Sequence, residues 1–193
     1  TRLNSSAASD VYKRQLITCS ANAVPLGDDG LHKPMWLRLT FKDMKEDLEE
    51  ANIENKRLLI IFEQRGCIYC SKMHEDVFST PQIAKLISDK YYVVQMNLFG
   101  DEEVTDFDGF TLSEKEMAIH WGIVFTPTLM FMPKVIDNNK TAAQNAVITM
   151  PGAFGKYTTF NLLNFVLESG YNKNEHFQKY HARKLAEQKQ KTK

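Results

Sequence analysis

The chain has 193 residues, enough for one domain with a buried core, and 43% hydrophobic with 25% charged residues is the balance of a globular protein. Twenty-four basic side chains offset twenty-four acidic ones, so no net field draws the chain to nucleic acid or to an anionic membrane. No apolar run approaches the ~18 residues of a membrane span.

Residues 1–15 (TRLNSSAASDVYKRQ) lack apolar periodicity and are expected to be a non-native or disordered leader. Residues 16–23 (LITCSANA) read as the remnant of a secretory signal, with Ala21-Asn22-Ala23 as a small-x-small cleavage site. Cys19 is the alternative, as a lipid anchor, but the preceding threonine fits such a site poorly. A signal places the mature chain in an oxidising compartment with two cysteines, Cys67 and Cys70.

Phe41, Met44, Leu48, Ala51 and Ile53 are spaced as the buried stripe of a helix over 40–55. The run Leu58–Phe62 (LLIIF) suits a strand buried on both faces. Gly66 breaks it, and a second helix starts at Cys67, with Cys70, Met73, His74 and Val77 on one face. Thr80 and Pro81 restart a helix as N-cap and first helical residue. Residues 91–98 read as a strand, 100–109 as an acidic loop and 112–120 as a short helix. Residues 128–132 and 146–150 are expected to pair as a hairpin through Asp137–Lys140, and 157–168 closes as an amphipathic helix. Strands joined by helical crossovers give a parallel core with an antiparallel edge, an α/β sandwich with the cysteines where a central strand meets a helix.

A cysteine at a helix N-terminus faces unpaired N–H groups and the positive end of the dipole, which favours its thiolate by about 1 kcal/mol. Lowering a thiol pKa from about 8.5 to about 7 needs roughly 2 kcal/mol. A hydrogen bond from Cys70 and the cation of Arg65 are expected to supply the rest. Cys67 is thus the expected nucleophile, and Cys70, one turn further in, the resolving thiol. Cys67, Cys70 and His74 also form C-x2-C-x3-H, but a structural zinc site needs four ligands. His32, His120, His176 and His181 are read as standing alone, so no metal is assigned. A purely structural staple is a poor reading too, because so short a loop constrains the unfolded chain little. His74 is either a core-facing residue or a proton relay. Asp106, Asp108 and Gly109 hint at a calcium loop, but Val104 and Lys115 stand where its first and last carboxylates belong. Pro127 before the apolar strand is either punctuation or a cis-proline facing the cysteines.

GCIYC at a strand end, FTPTLMFM some sixty residues on and a hairpin reaching MPGAF resemble the thioredoxin superfamily. The run PMWLRLTFKDMKEDLEEANIENKRLLIIFEQRGCIYCSKMHEDVF, with FDGF and the closing GYNKNEHFQKY, more narrowly resembles the secreted SoxW-type thioredoxins associated with bacterial sulfur oxidation. The likeness covers about residues 34–180, leaving 181–193 as a charged tail. It implies a thioredoxin fold, a central mixed sheet flanked by helices in three layers, with Cys67 and Cys70 as the redox pair and Pro127 cis. Gly66, Ile68, Tyr69, Thr126 and Pro127 would then support substrate binding. Thioredoxin itself has Trp before the first cysteine and Gly-Pro between the two; here Gly66 precedes and Ile68-Tyr69 intervene. Its buried aspartate aligns with Ile61. Glu63 is a substitute two residues on, expected on the opposite face, and is grouped with Arg65 and His74 as tuning or proton-relay candidates.

The expected function is a periplasmic thiol–disulfide oxidoreductase reducing disulfides of partner proteins, recharged by a membrane thiol donor, monomeric and without a dissociable cofactor. Reduction for cytochrome c maturation, disulfide isomerisation and a redox-inert interaction module are the alternatives.

Overall fold

The computed structural model describes residues 24–173 and 175–191. The expected leader, signal remnant, cleavage site and Cys19 lie outside the described residues.

A four-stranded sheet organises the chain. Its strands are β1 (Arg57–Glu63), β2 (Tyr91–Asn97), β5 (Thr128–Phe131) and β6 (Ile148–Pro151), in the order β2-β1-β5-β6. β1 lies parallel to β2 and antiparallel to β5, and β5 pairs antiparallel with β6. The mixed sheet and its late antiparallel pair follow the sequence reading. Asp43 caps α1 (Met44–Ile53) by accepting from the backbone N–H groups of Lys45 and Glu46.

Alternation along β1 divides the core. Leu58, Ile60 and Phe62 pack on one side with Met44 and Leu48 of α1, and with Met117 and Ala118 of α4 (Glu114–His120). Leu59 and Ile61 pack on the other, against α3 (Pro81–Lys90) and α6 (Lys156–Leu167). All seven residues of β1 are buried. Each large apolar side chain taken from water there contributes about 1.5–3 kcal/mol, which fixes the strand whose end carries the cysteines. The result is three layers.

Several local features depart from the sequence reading. The acidic loop contains a small antiparallel ribbon, β3 (Glu103–Thr105) on β4 (Thr111–Ser113). The connection between β5 and β6 holds a short helix, α5 (Ala142–Asn145), with a capping box between Thr141 and Gln144, where a plain polar turn was expected. The buried Asp106 carboxylate accepts from the backbone N–H of Phe107 and of Ala142 and from Trp121 Nε1 at 2.6 Å, so it ties ribbon, α4 and α5 together. The carboxy-terminal α7 (Phe177–Lys191) continues through the boundary drawn at residue 181 and docks on α6. There Tyr180 is buried against Phe165 and donates its hydroxyl to Glu168.

The helix after the cysteines is not uniform. α2 (Ile68–Lys72) passes without a break into a π-helical turn, Met73–Phe78, before α3 starts behind Thr80. Upstream of α1, residues 24–43 run over the sheet edge: Arg38 N–H donates to the Val93 carbonyl of β2, and Leu37 bridges Val93.

Candidate active site

Cys67 is the N-cap of α2, as its spacing predicts, and its sulfur accepts the backbone N–H of Cys70 at 3.0 Å. Thr126 Oγ1 donates to the same sulfur at 3.4 Å. The two cysteines form a disulfide, with Cα atoms 5.2 Å apart. They differ in access: Cys67 retains 8% exposure and Cys70 none. A partner sulfur can therefore reach only the first, and Cys70 can act only from beneath.

Around Cys67 the surface is apolar and open. Ile68, Tyr69, Val124 and Phe125 are each more than 60% exposed. That is an apolar rim whose burial would favour docking of an extended polypeptide. Gly66 takes φ +72°, and the space its Cβ would occupy is empty, so the backbone at the strand–helix handover is unobstructed. The Thr126–Pro127 peptide is cis, as the resemblance implies. Gly152, after β6, donates its N–H to the Pro127 carbonyl at 2.7 Å, which ties this turn to the sheet.

The tuning candidates are placed differently from one another. Glu63 is on the same face of β1 as Ile61, not the opposite one, because residues two apart on a strand share a face. It is 1% exposed and faces the helix that carries Cys70. There it accepts from His74 Nε2 at 2.5 Å and from His32 Nδ1 at 3.0 Å. Burial pushes its pKa up, but the hydrogen bonds and charges of the two imidazoles outweigh that and hold it down at about 2. His32, read as standing alone, is therefore part of the site. Its ring stacks on His74 with centroids 4.3 Å apart, and its Nε2 meets Ser71 Oγ at 3.2 Å. Arg65, expected to bring its cation to Cys67, donates instead to the backbone carbonyls of Asp28 and Asp29.

Nothing local in the sequence announces His32. It is thirty-one positions before Glu63 and arrives because the Leu26–His32 bridge and the Gln95 amide, which donates to the His32 carbonyl at 2.8 Å, fold the amino-terminal segment back on β2. His74, read as a core residue or a relay, is both buried and hydrogen-bonded.

A profile of the thioredoxin-like domain matches residues 44–135. Among solved structures, a thioredoxin-fold protein from Helicobacter pylori superposes with a TM-score of 0.51 at 19% identity, over 79% of this chain and 96% of that one. A thioredoxin from Thermus thermophilus gives 0.53 at 20% identity, over 74% of this chain and 98% of that one. No curated protein matches the sequence. The chain has the thioredoxin fold, and its matched domain and cysteine pair support a place in the thioredoxin superfamily.

Proposed function

We propose that this protein is a thiol–disulfide oxidoreductase that reduces disulfides of partner proteins outside the cytoplasm, in the manner of the secreted SoxW-type thioredoxins it resembles. The observation that carries the reading is the unequal access of two bonded sulfurs at a helix N-terminus, 8% for Cys67 and none for Cys70, beside an apolar rim.

In the reduced chain the Cys67 thiolate is stabilised by the Cys70 N–H, by the Thr126 hydroxyl and by the helix N-terminus. It attacks a substrate disulfide, joining one substrate sulfur and expelling the other as a thiolate. Cys70 then attacks Cys67, which restores the intramolecular disulfide and frees the second substrate thiol. The substrate gains two electrons and the protein dithiol loses two. A membrane thiol donor that returns them fits the expected periplasmic setting, and an extended substrate strand suits the turn at Thr126 and Pro127.

Insulin reduction in the presence of dithiothreitol tests the activity. Turnover by the full chain, its loss in Cys67→Ser, and a trapped mixed disulfide in Cys70→Ser are the expected results. A chain that leaves insulin untouched would be the redox-inert module, and trapping by Cys67→Ser alone would reverse the roles of the two sulfurs. Secretion is tested separately, by locating the chain after cell fractionation.

A further inference from the structure

The group beneath the cysteines is arranged to hold a proton. An ionised carboxylate can only accept hydrogen bonds, and Glu63 stays ionised while it accepts from both imidazoles. His32 Nδ1 and His74 Nε2, the nitrogens facing it, therefore both carry hydrogen. In a neutral ring that leaves the other nitrogen of His74, Nδ1, as a bare acceptor. His74 is 1% exposed, and its Nδ1 is buried with no hydrogen-bond partner among the described residues. Its ring is clamped by His32 at 4.3 Å, Phe78 at 5.2 Å and Trp36 at 6.0 Å.

The same three residues could be read as metal ligands, since their donor atoms lie within 4.8 Å of one another. The ring geometry argues against that. An imidazole binds a metal through a bare nitrogen in its own plane. The planes of His32 and His74 are only 19° apart and stacked, so their nitrogens point side by side at the two carboxylate oxygens and do not converge on one point.

His74 follows Cys70 by four residues on the buried face of the helix, where side chains lean back toward the preceding turn. Nδ1 is the ring nitrogen that the bond to Glu63 leaves unused. We propose that His74 is the base that takes the proton from the Cys70 thiol in the resolving step, with Glu63 as its positioning residue and His32 steadying the carboxylate. The proposal rests on the reading of Cys67 and Cys70 as a working dithiol.

In this step the Cys70 S–H bond breaks and its proton passes to His74 Nδ1. The sulfur's electron pair forms the bond to Cys67, and the bond between Cys67 and the substrate sulfur breaks, its pair leaving with the substrate thiolate. The imidazolium, still hydrogen-bonded to Glu63 through Nε2, delivers its proton to that thiolate. Among the described residues, the titratable groups in contact with His74 are Glu63 from β1 and His32 from the amino-terminal segment, and Cys70 stands four residues before it on its own helix. The nearby cation of Lys33 is held by Asp29 and Gln95.

The test mixes the reduced full chain with bis(thionitrobenzoate), an aromatic disulfide whose released thiolate is coloured. Attack by Cys67 releases the first equivalent and closure by Cys70 the second, so the two steps are read separately. In His74→Gln, whose amide can still donate to Glu63 but offers no base, the second phase should slow by on the order of a hundredfold near neutral pH. The first phase should be unchanged, and the deficit should close at alkaline pH, where Cys70 ionises unaided. A second phase of normal rate, or one slowed by the same factor at every pH, would overturn the assignment. So that nothing depends on the variant folding, the His74 ring resonances of the unaltered chain are titrated in disulfide and dithiol forms. Different midpoints in the two forms support the proposal, and identical midpoints overturn it. No colour from the unaltered chain would remove the dithiol reading itself, a result distinct from either.

Discussion

Replacing Glu63 by glutamine should cost stability in a way that depends on pH with a defined sign. The carboxylate falls from an ordinary value of 4.5 to about 2 on folding, although burial alone would raise it, because both imidazoles donate to it and place positive charge beside it. The difference is about two and a half pH units, each worth 1.36 kcal/mol, so the ionised form contributes roughly 3 kcal/mol to folding. With Glu63 1% exposed, solvent screening removes little of this. A depressed carboxylate stabilises the fold above its unfolded pKa, and that stability is lost as pH falls through the folded value. Urea unfolding of the oxidised chain and of Glu63→Gln should therefore differ by about 3 kcal/mol near pH 7. The gap should start to narrow below about pH 4.5 and be nearly closed by about pH 2. A gap that stayed constant over this range would show that the amide is merely a poor fit, and would refute the charge argument.

Asp47 should behave in the opposite sense. Buried in α1 with a single side-chain donor, Thr40 at 3.3 Å, its pKa is pushed up to about 7 by burial, so its contribution is full below about pH 4 and is lost as pH rises through 7. Asp47→Asn should accordingly raise the urea midpoint at about pH 8 by an amount equivalent to a few kcal/mol and leave it unchanged near pH 3. Gly66→Val puts a branched side chain at φ +72° and into the open approach beside Cys67, so insulin reduction should fall further than the ~1–2 kcal/mol lost in stability; equal turnover in a folded variant would place the docking surface elsewhere. Thr126→Val removes the hydroxyl that donates to Cys67, and thiol alkylation against pH should show the Cys67 pKa rising by up to about one unit. An unmoved curve would mean that the backbone N–H of Cys70 suffices.

Elements with a strong periodic or punctuating signal were legible before the structure. LLIIF suited a doubly buried strand, Gly66 marked the break before the helix that starts at Cys67, and Thr80-Pro81 announced the next helix; the strand, which ends at Glu63, and both helix starts stand. β3 and β4 escaped notice because strands of three residues are too short to show alternation. α5 depends on a capping box within an otherwise polar connection. The cysteines needed only their spacing and the strand before them. Their supporting group did not yield to such reading, because His32 reaches Glu63 through the path of the amino-terminal segment over the sheet edge, a tertiary contact without a local pattern. Arg65 misled for the converse reason: proximity in sequence to Cys67 says nothing of which acceptors a long, flexible side chain will find, and it found two carbonyls.

The π turn at Met73–Phe78 gives the helix after the cysteines two angular settings in place of one. In a continuous α-helix the direction of every side chain follows from the first, at 3.6 residues per turn. Fixing Cys70 beneath Cys67 would then dictate where Val77 and Phe78 point. A widened turn breaks that obligation. The first segment answers to the sulfurs, while the second seats Val77 and Phe78 in the core with Ile83 and Leu129. Core residues beyond the turn can thus exchange volume, as packing constraints require, without rotating the reactive end of the helix. His74, inside the turn, is where the two settings meet.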